Sequence, residues 1–202
     1  GKKEEAISFL KEEMKTNPSS DIILKNLLVQ FLTNDPELTL KRVDSSFFKL
    51  NPIEPSFNDL MELKTFLTKY SGDSDIEKSA FTYFQKSESY LRQKKLGNAI
   101  EELDYLINKF PDAKIVPLVQ LRLGILHYRL KDYSKALEFA FSLDQTDFSD
   151  KGIILAGQIY EKKLFEIENA VKQYMRIIDE YPNSIYSEPI RFHIRDIQKT
   201  GS

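Results

Sequence analysis

His127 and His193 are the two imidazoles of the 202-residue chain, and imidazole is the side chain best suited to moving a proton near neutral pH. To act as a general base, either would need a nucleophile within hydrogen-bond reach; to hold a metal, either would need a second ligand at short spacing. Neither has one in the sequence: no His-Glu-x-x-His run is present, and no second His lies three or four residues away. The chain has no cysteine, which removes thiolate zinc sites, thiol nucleophiles and disulfides. Acidic neighbours such as Glu101-Glu102 and Asp179-Glu180 fall on charged helical stretches, where a solvated face is their simplest role. Phosphate-binding Gly-rich loops, dinucleotide turns and Gly-x-Ser-x-Gly elbows are all missing. The sequence therefore predicts no catalytic residue, no metal and no cofactor, and a protein that is not an enzyme. His127 reads as a packed, hydrogen-bonded imidazole and His193 as a surface residue.

Composition narrows the partners. Net charge is −2, with 29 basic and 31 acidic residues interspersed, so there is no basic face to neutralise a run of phosphates, and nucleic acid is not an expected partner. Hydrophobic residues make up 41% and charged residues 30%, as in an ordinary folded domain. No apolar run reaches the roughly 20 residues that span a bilayer. No signal-peptide pattern opens the chain, but it begins with Gly rather than Met, which leaves a leader or a longer parent open.

Seven Gly and eight Pro are too few for a turn-rich β fold, and apolar residues recur at helical spacing almost throughout. The periodicity predicts eleven helices, at 3–15, 20–33, 36–50, 57–70, 75–93, 96–110, 115–129, 133–144, 149–162, 166–181 and 185–198. Asn34-Asp35-Pro36 offers an N-cap followed by Pro at the first helical position, and Ser74-Asp75 precedes Glu77 in a similar way.

The helices repeat in pairs. Leu123-Gly124 stands thirteen and twelve residues before Ala136, with a Lys131-Asp132-Tyr133 turn between. Tyr90, Ala99, Leu103 and Pro111 keep the same register upstream; Tyr160, Ala170, Tyr174 and Pro182 keep it downstream with one extra residue in the loop. The alanines are 37 and 34 residues apart, and both Ala99 to Pro111 and Ala170 to Pro182 span 12. A small Ala lets two helices approach closely, Leu and Tyr fill the space between them, and Pro stops the second helix.

This pattern resembles the tetratricopeptide repeat family, with His127 standing where that family usually has Tyr. The resemblance implies an all-α, right-handed helical-hairpin solenoid of about five pairs plus a capping helix from Ser184 to Ile197. Residues 74–202 form three clear repeats in this reading. Residues 1–73 form a degenerate helical-repeat region, expected to continue the same solenoid, whose register is ambiguous: Ala6, Leu10 and Pro18 read as the second helix of one pair, whereas residues 57–70 echo 97–110 as the second helix of another. Strict pairing gives five hairpins, with a bend at Asn51-Pro52-Ile53-Glu54-Pro55-Ser56.

In this family the first helices line a concave groove. Carried over, the groove positions are Phe81, Phe84, Glu88, Leu91 and Arg92 in one unit and Leu118, Leu121, Ile125, Tyr128 and Arg129 in the next. Such a groove suits a hydrophobic helix or extended segment of a protein or peptide. Its alternative cover is an amino-terminal helix folded back on it, or a second copy. Of the family's carboxylate-clamp positions only Arg122 matches, which disfavours a chaperone-tail adaptor. The exits Phe110-Pro111-Asp112-Ala113 and Tyr181-Pro182-Asn183-Ser184 resemble those of bacterial envelope members such as the outer-membrane assembly lipoprotein and the Tol-Pal coordinator. They tilt the expected location towards the periplasm or outer membrane. The expected function is a scaffold or adaptor; a solenoid that binds glycan or peptidoglycan, and an architectural spacer, are the alternatives.

Overall fold

A computed structural model describes residues 2–16, 19–33, 35–72 and 74–200. Among the described residues the chain is all-α with no strand, and the eleven predicted helices are present. They are α1 (Lys2–Thr16), α2 (Ser20–Phe31), α3 (Pro36–Ser46), α4 (Pro55–Tyr70), α5 (Asp75–Arg92), α6 (Leu96–Lys109), α7 (Val116–Arg129), α8 (Tyr133–Ser142), α9 (Ser149–Ile159), α10 (Ile167–Glu180) and α11 (Ser187–Thr200). The chain divides into two compact units, residues 1–115 and 116–202. The boundary expected at 73–74 falls inside the first of these units, where aromatic rings of α5 pack on those of α2 and α4.

Side-chain caps start several helices. Asp35 Oδ1 accepts the Leu38 amide at 3.0 Å ahead of Pro36, and Ser74 Oγ accepts the Glu77 amide at 3.2 Å. Each satisfies one of the amides left without an intrahelical partner. The predicted helix 36–50 is shorter than expected. It ends at Ser46, passes through a 3-10 turn at Phe47–Lys49, and Leu50 is extended. Ser45 and Ser46 both turn their hydroxyls back onto the Arg42 carbonyl, and Pro52 disfavours helical backbone at Asn51.

In the first unit α1 packs on α2, α3 on α4, and α5 on α6, while α2 also touches α3 and α4. Strict pairing therefore accommodates α1 to α4, although Pro18 and the side chain of Ala6 lie outside the described residues. An aromatic cluster joins α2, α4 and α5. The ring of Phe66 lies 5.9 Å from Phe31, 5.9 Å from Phe81, 5.6 Å from Phe84 and 5.1 Å from Tyr70. Gln85 also donates to the Phe31 carbonyl at 2.5 Å, tying α5 to the end of α2.

In the second unit α7 pairs with α8 and α9 with α10; α8 packs on α9, and α11 on α10. Small residues permit this. Ala136, Ala156 and Ala170 are fully buried, and a Cβ on Gly152 would come within 2.5 Å of the Ala140 carbonyl oxygen. One core groups Ala136, Ala140, Leu155, Ala156 and Ile159; another groups Ile153, Ala170, Tyr174, Ile177, Ile190 and Ile194. Ile190 and Ile194 dock α11, whereas Phe192, Arg195 and Asp196 face outward.

Candidate partner-binding face

The groove residues predicted on α5 do not form an open surface. Phe81 and Phe84 are 0% and 2% exposed, sealed by Phe31 and Phe66, and Glu88 is buried and paired with Arg92 at 3.1 Å. Leu91 is half-buried and Arg92 exposed. On α5 the amino-terminal helices are the cover, as the alternative reading allowed: the bulk of four phenylalanine rings is satisfied within the unit.

On α7 the outcome differs. Leu118, Leu121, Ile125 and Tyr128 follow one another at i, i+3, i+7 and i+10, so they form a single stripe, and Arg129 lies beside it. All four are half-buried and Arg129 is exposed. Ile125 and Tyr128 rest on the Ala136–Leu155–Ile159 core, which fixes them between α7 and α9. The same spacing recurs 33 residues on as Lys151, Ile154, Gln158 and Glu161, and again on α11 as Pro189, Phe192, Asp196 and Lys199. Ile154 packs against the core that holds Ile190 and Ile194, so the α9 stripe borders α11 as the α7 stripe borders α9. Phe192 is 59% exposed at the centre of its stripe. Sequence reading missed it because α11 was taken only as a solvating cap, yet the repeat spacing carried from Leu121 through Ile154 points to it.

Comparison with protein families finds two matches to the tetratricopeptide repeat model, at residues 81–113 and 154–184. Both segments are thus similar to tetratricopeptide repeats. No curated protein matched the chain. The first repeat runs from α5 through α6, and the second from α9 through α10. Between them, α7 and α8 reproduce the same buried alanine and the same turn. Lys94, Lys131 and Phe165 each take the left-handed conformation after the first helix of a pair. The next amide then reaches back over the helix end: Lys95 to Tyr90 and Asp132 to His127, both at 3.0 Å.

The second matched repeat carries the extra loop residue. Gly124 to Ala136 spans 12 residues but Gly157 to Ala170 spans 13. The surplus is absorbed as a π-helical turn, Tyr160–Leu164, closed by Glu166 donating to the Tyr160 carbonyl at 2.9 Å. A π turn is a one-residue insertion into a helix, and it redirects the side chains that follow. Here it accompanies a polar clasp. Glu161 Oε2 accepts the Tyr174 hydroxyl at 2.7 Å and is bonded to His193 Nε2 at 2.8 Å. Burial pushes the Glu161 carboxyl up, but bonds from His193 and Tyr174 and the charges of His193 and Lys162 outweigh it, leaving the group below its ordinary range. Burial, then the Glu161 bond, pushes the Tyr174 phenol well above its ordinary range.

The two histidines thus have structural partners. His127 is buried, stacked on Phe139 at 5.6 Å, with Nδ1 3.3 Å from Asp132. His193 is not the free surface residue expected from sequence. It is half-buried against Tyr174 and fastens α11 to the π turn. Among the described residues no group of three or more His, Asp or Glu side chains is arranged to hold a metal ion, and no helix is long and apolar enough to cross a membrane.

Proposed function

We propose that the chain is a scaffold or adaptor that captures a protein partner on the striped face of its second unit. Tetratricopeptide repeats generally mediate protein–protein interaction. The observation that carries the reading here is the run of aligned apolar positions on that face, Leu121 on α7 and Ile154 on α9, both half-buried, and Phe192 on α11, which is exposed. Apolar side chains repeated at one register on successive first helices make an elongated strip, which fits an extended or helical segment better than a compact small molecule. The equivalent strip on α5 is filled from within its own unit, so the partner is assigned to α7, α9 and α11.

The test is affinity capture from the source cell's lysate with the wild-type chain, a Leu121→Glu/Ile125→Glu variant and a Phe192→Glu variant, each checked for retained helicity by circular dichroism. A protein held by the wild type and released by both variants supports the reading. Equal capture by all three removes this face from it.

A bacterial envelope setting is part of the same proposal and is supported by the exit motifs. Both form one turn, with Ala113 donating to Phe110 at 3.1 Å and Ser184 to Tyr181 at 2.9 Å. Cell fractionation, with the protein followed by immunoblot, tests it; recovery in the cytosol alone would overturn it.

A further inference from the structure

The charges that border the apolar strip identify the partner's chemistry, given the scaffold reading above. The chain as a whole carries a net charge of −2, but the striped face does not share that balance. Arg129, Lys151, Lys162 and Arg195 stand exposed on or beside the stripes. The carboxylates on or beside the stripes are engaged: Glu161 by Tyr174 and His193, Asp196 by Lys199 at 3.9 Å, Asp150 by the Ser184 hydroxyl, and Glu188 by Arg191 at 3.6 Å. Three of the cations on this unit lie over aromatic rings. Lys151 is 4.8 Å from the Phe148 ring, Lys163 5.4 Å from Tyr128 and Arg195 5.7 Å from Phe192. The aromatic surfaces of this face thus come with cations attached, so an apolar group cannot cover them without drying the charges as well.

We propose that the face takes an acidic segment of a partner protein, with aliphatic or aromatic anchors set between carboxylates. A purely apolar partner would strip water from the cations without compensation, and an unpaired charge removed from water is costly. A basic partner would add repulsion. Carboxylates flanking the anchors pair with Lys151, Lys162 and Arg195 while the anchors meet Leu121, Ile154 and Phe192. Neighbouring helices lie about 10 Å apart, and a segment in polyproline II conformation advances about 9 Å per three-residue turn with i and i+3 on one side, so anchors at i and i+3 match successive stripes.

The test is selection of random 16-residue peptides, displayed on phage, against the full chain, followed by titration of a synthetic selected peptide. The expected result is an excess of Asp and Glu around anchors three residues apart. Affinity should fall about tenfold or more in the surface variant Lys151→Glu/Lys162→Glu and in Phe192→Ser, and should weaken as salt rises. Selected peptides that need Phe192 but are neutral or basic would overturn the acidic partner and leave the scaffold reading standing. If no selected peptide depends on the face, the scaffold reading itself fails. Binding to vesicles of phosphatidylserine and phosphatidylcholine that is lost in the same variants, without peptide selection, would overturn the proposal in favour of a lipid surface.

Discussion

Gly157 lies against one side of the ring of Tyr174, so close that a Cβ at 157 would overlap ring carbons Cε1, Cδ1 and Cζ. The ring cannot retreat easily, because it is 1% exposed and its hydroxyl is bonded to Glu161. Gly157→Ala is therefore expected to destabilise the protein by about 1–3 kcal/mol through overpacking. Gly97 is the matched control, since nothing lies within 4 Å of a Cβ placed there. Gly97→Ala is expected to be neutral or to stabilise by about 0.5 kcal/mol, because it stiffens the unfolded chain. Urea denaturation of the two variants checks both signs.

Ala99, Ala136 and Ala170 are each fully buried, where the repeat register requires close contact between helices. Ala136→Leu is expected to cost about 1–3 kcal/mol, since Ala136 packs with Ala140, Leu155, Ala156 and Ile159. Ala99→Leu and Ala170→Leu should behave alike. Neutral results at two of the three, in thermal or urea unfolding, would mean that these positions are not the close contacts of their hairpins.

The hairpins were legible because their signals are local. The Leu-Gly and Ala spacings, the Asp35 and Ser74 caps and the Pro exits each act within one or two turns of helix, and the structure places them as expected. What the sequence does not disclose depends on side chains distant in the chain. The burial of Phe81 and Phe84 needs Phe31 and Phe66, 15 to 50 residues from the rings they touch, and no periodicity within α5 reports them. The extra residue after Gly157 was visible as a count, but its consequence was not. A one-residue surplus can widen a loop or enter a helix, and only the Tyr160–Leu164 geometry separates the two. His193 was misread for the same reason: its partner Glu161 lies 32 residues away on that turn. Phe192 was within reach, because its register follows from Leu121 and Ile154.

Phe165 ends the π turn in the left-handed conformation, with φ 57° and ψ 30°, and its side chain is 79% exposed. A β-carbon in that region is strained, and an exposed ring recovers little by packing. Phe165→Gly is expected to leave the fold intact and to raise stability by up to about 1 kcal/mol, the relief of strain being partly offset by the freer unfolded chain. A clear loss of thermal stability in this variant would show that the Phe165 ring makes a stabilising contact.

Glu161 gives the clasp a dependence on pH whose sign can be worked out. Its folded carboxyl titrates below the ordinary value of 4.5, because bonds from His193 and Tyr174 outweigh its burial. Folding therefore favours the ionised form, and the stabilisation is complete above pH 4.5. As pH falls through the lower folded value, protons bind the unfolded chain first and the advantage disappears. Hydrogen bonds to a charged group are each worth about 1.5–3 kcal/mol when buried, and the half-exposed His193 partner reduces the total. Glu161→Gln is accordingly expected to lower stability by about 1–2 kcal/mol at pH 7. In urea unfolding from pH 7 to pH 3, the gap between wild type and variant should hold steady above about pH 5 and close on the acid side. A gap that stays the same at pH 3 would mean that Glu161 contributes by packing rather than by charge. The loss should also concentrate at α11, because Ile190, Ile194 and the clasp are what dock it. Amide exchange should therefore rise in residues 187–199 before it rises in α7 and α8, and uniform acceleration across the second unit would show that the cap does not open on its own.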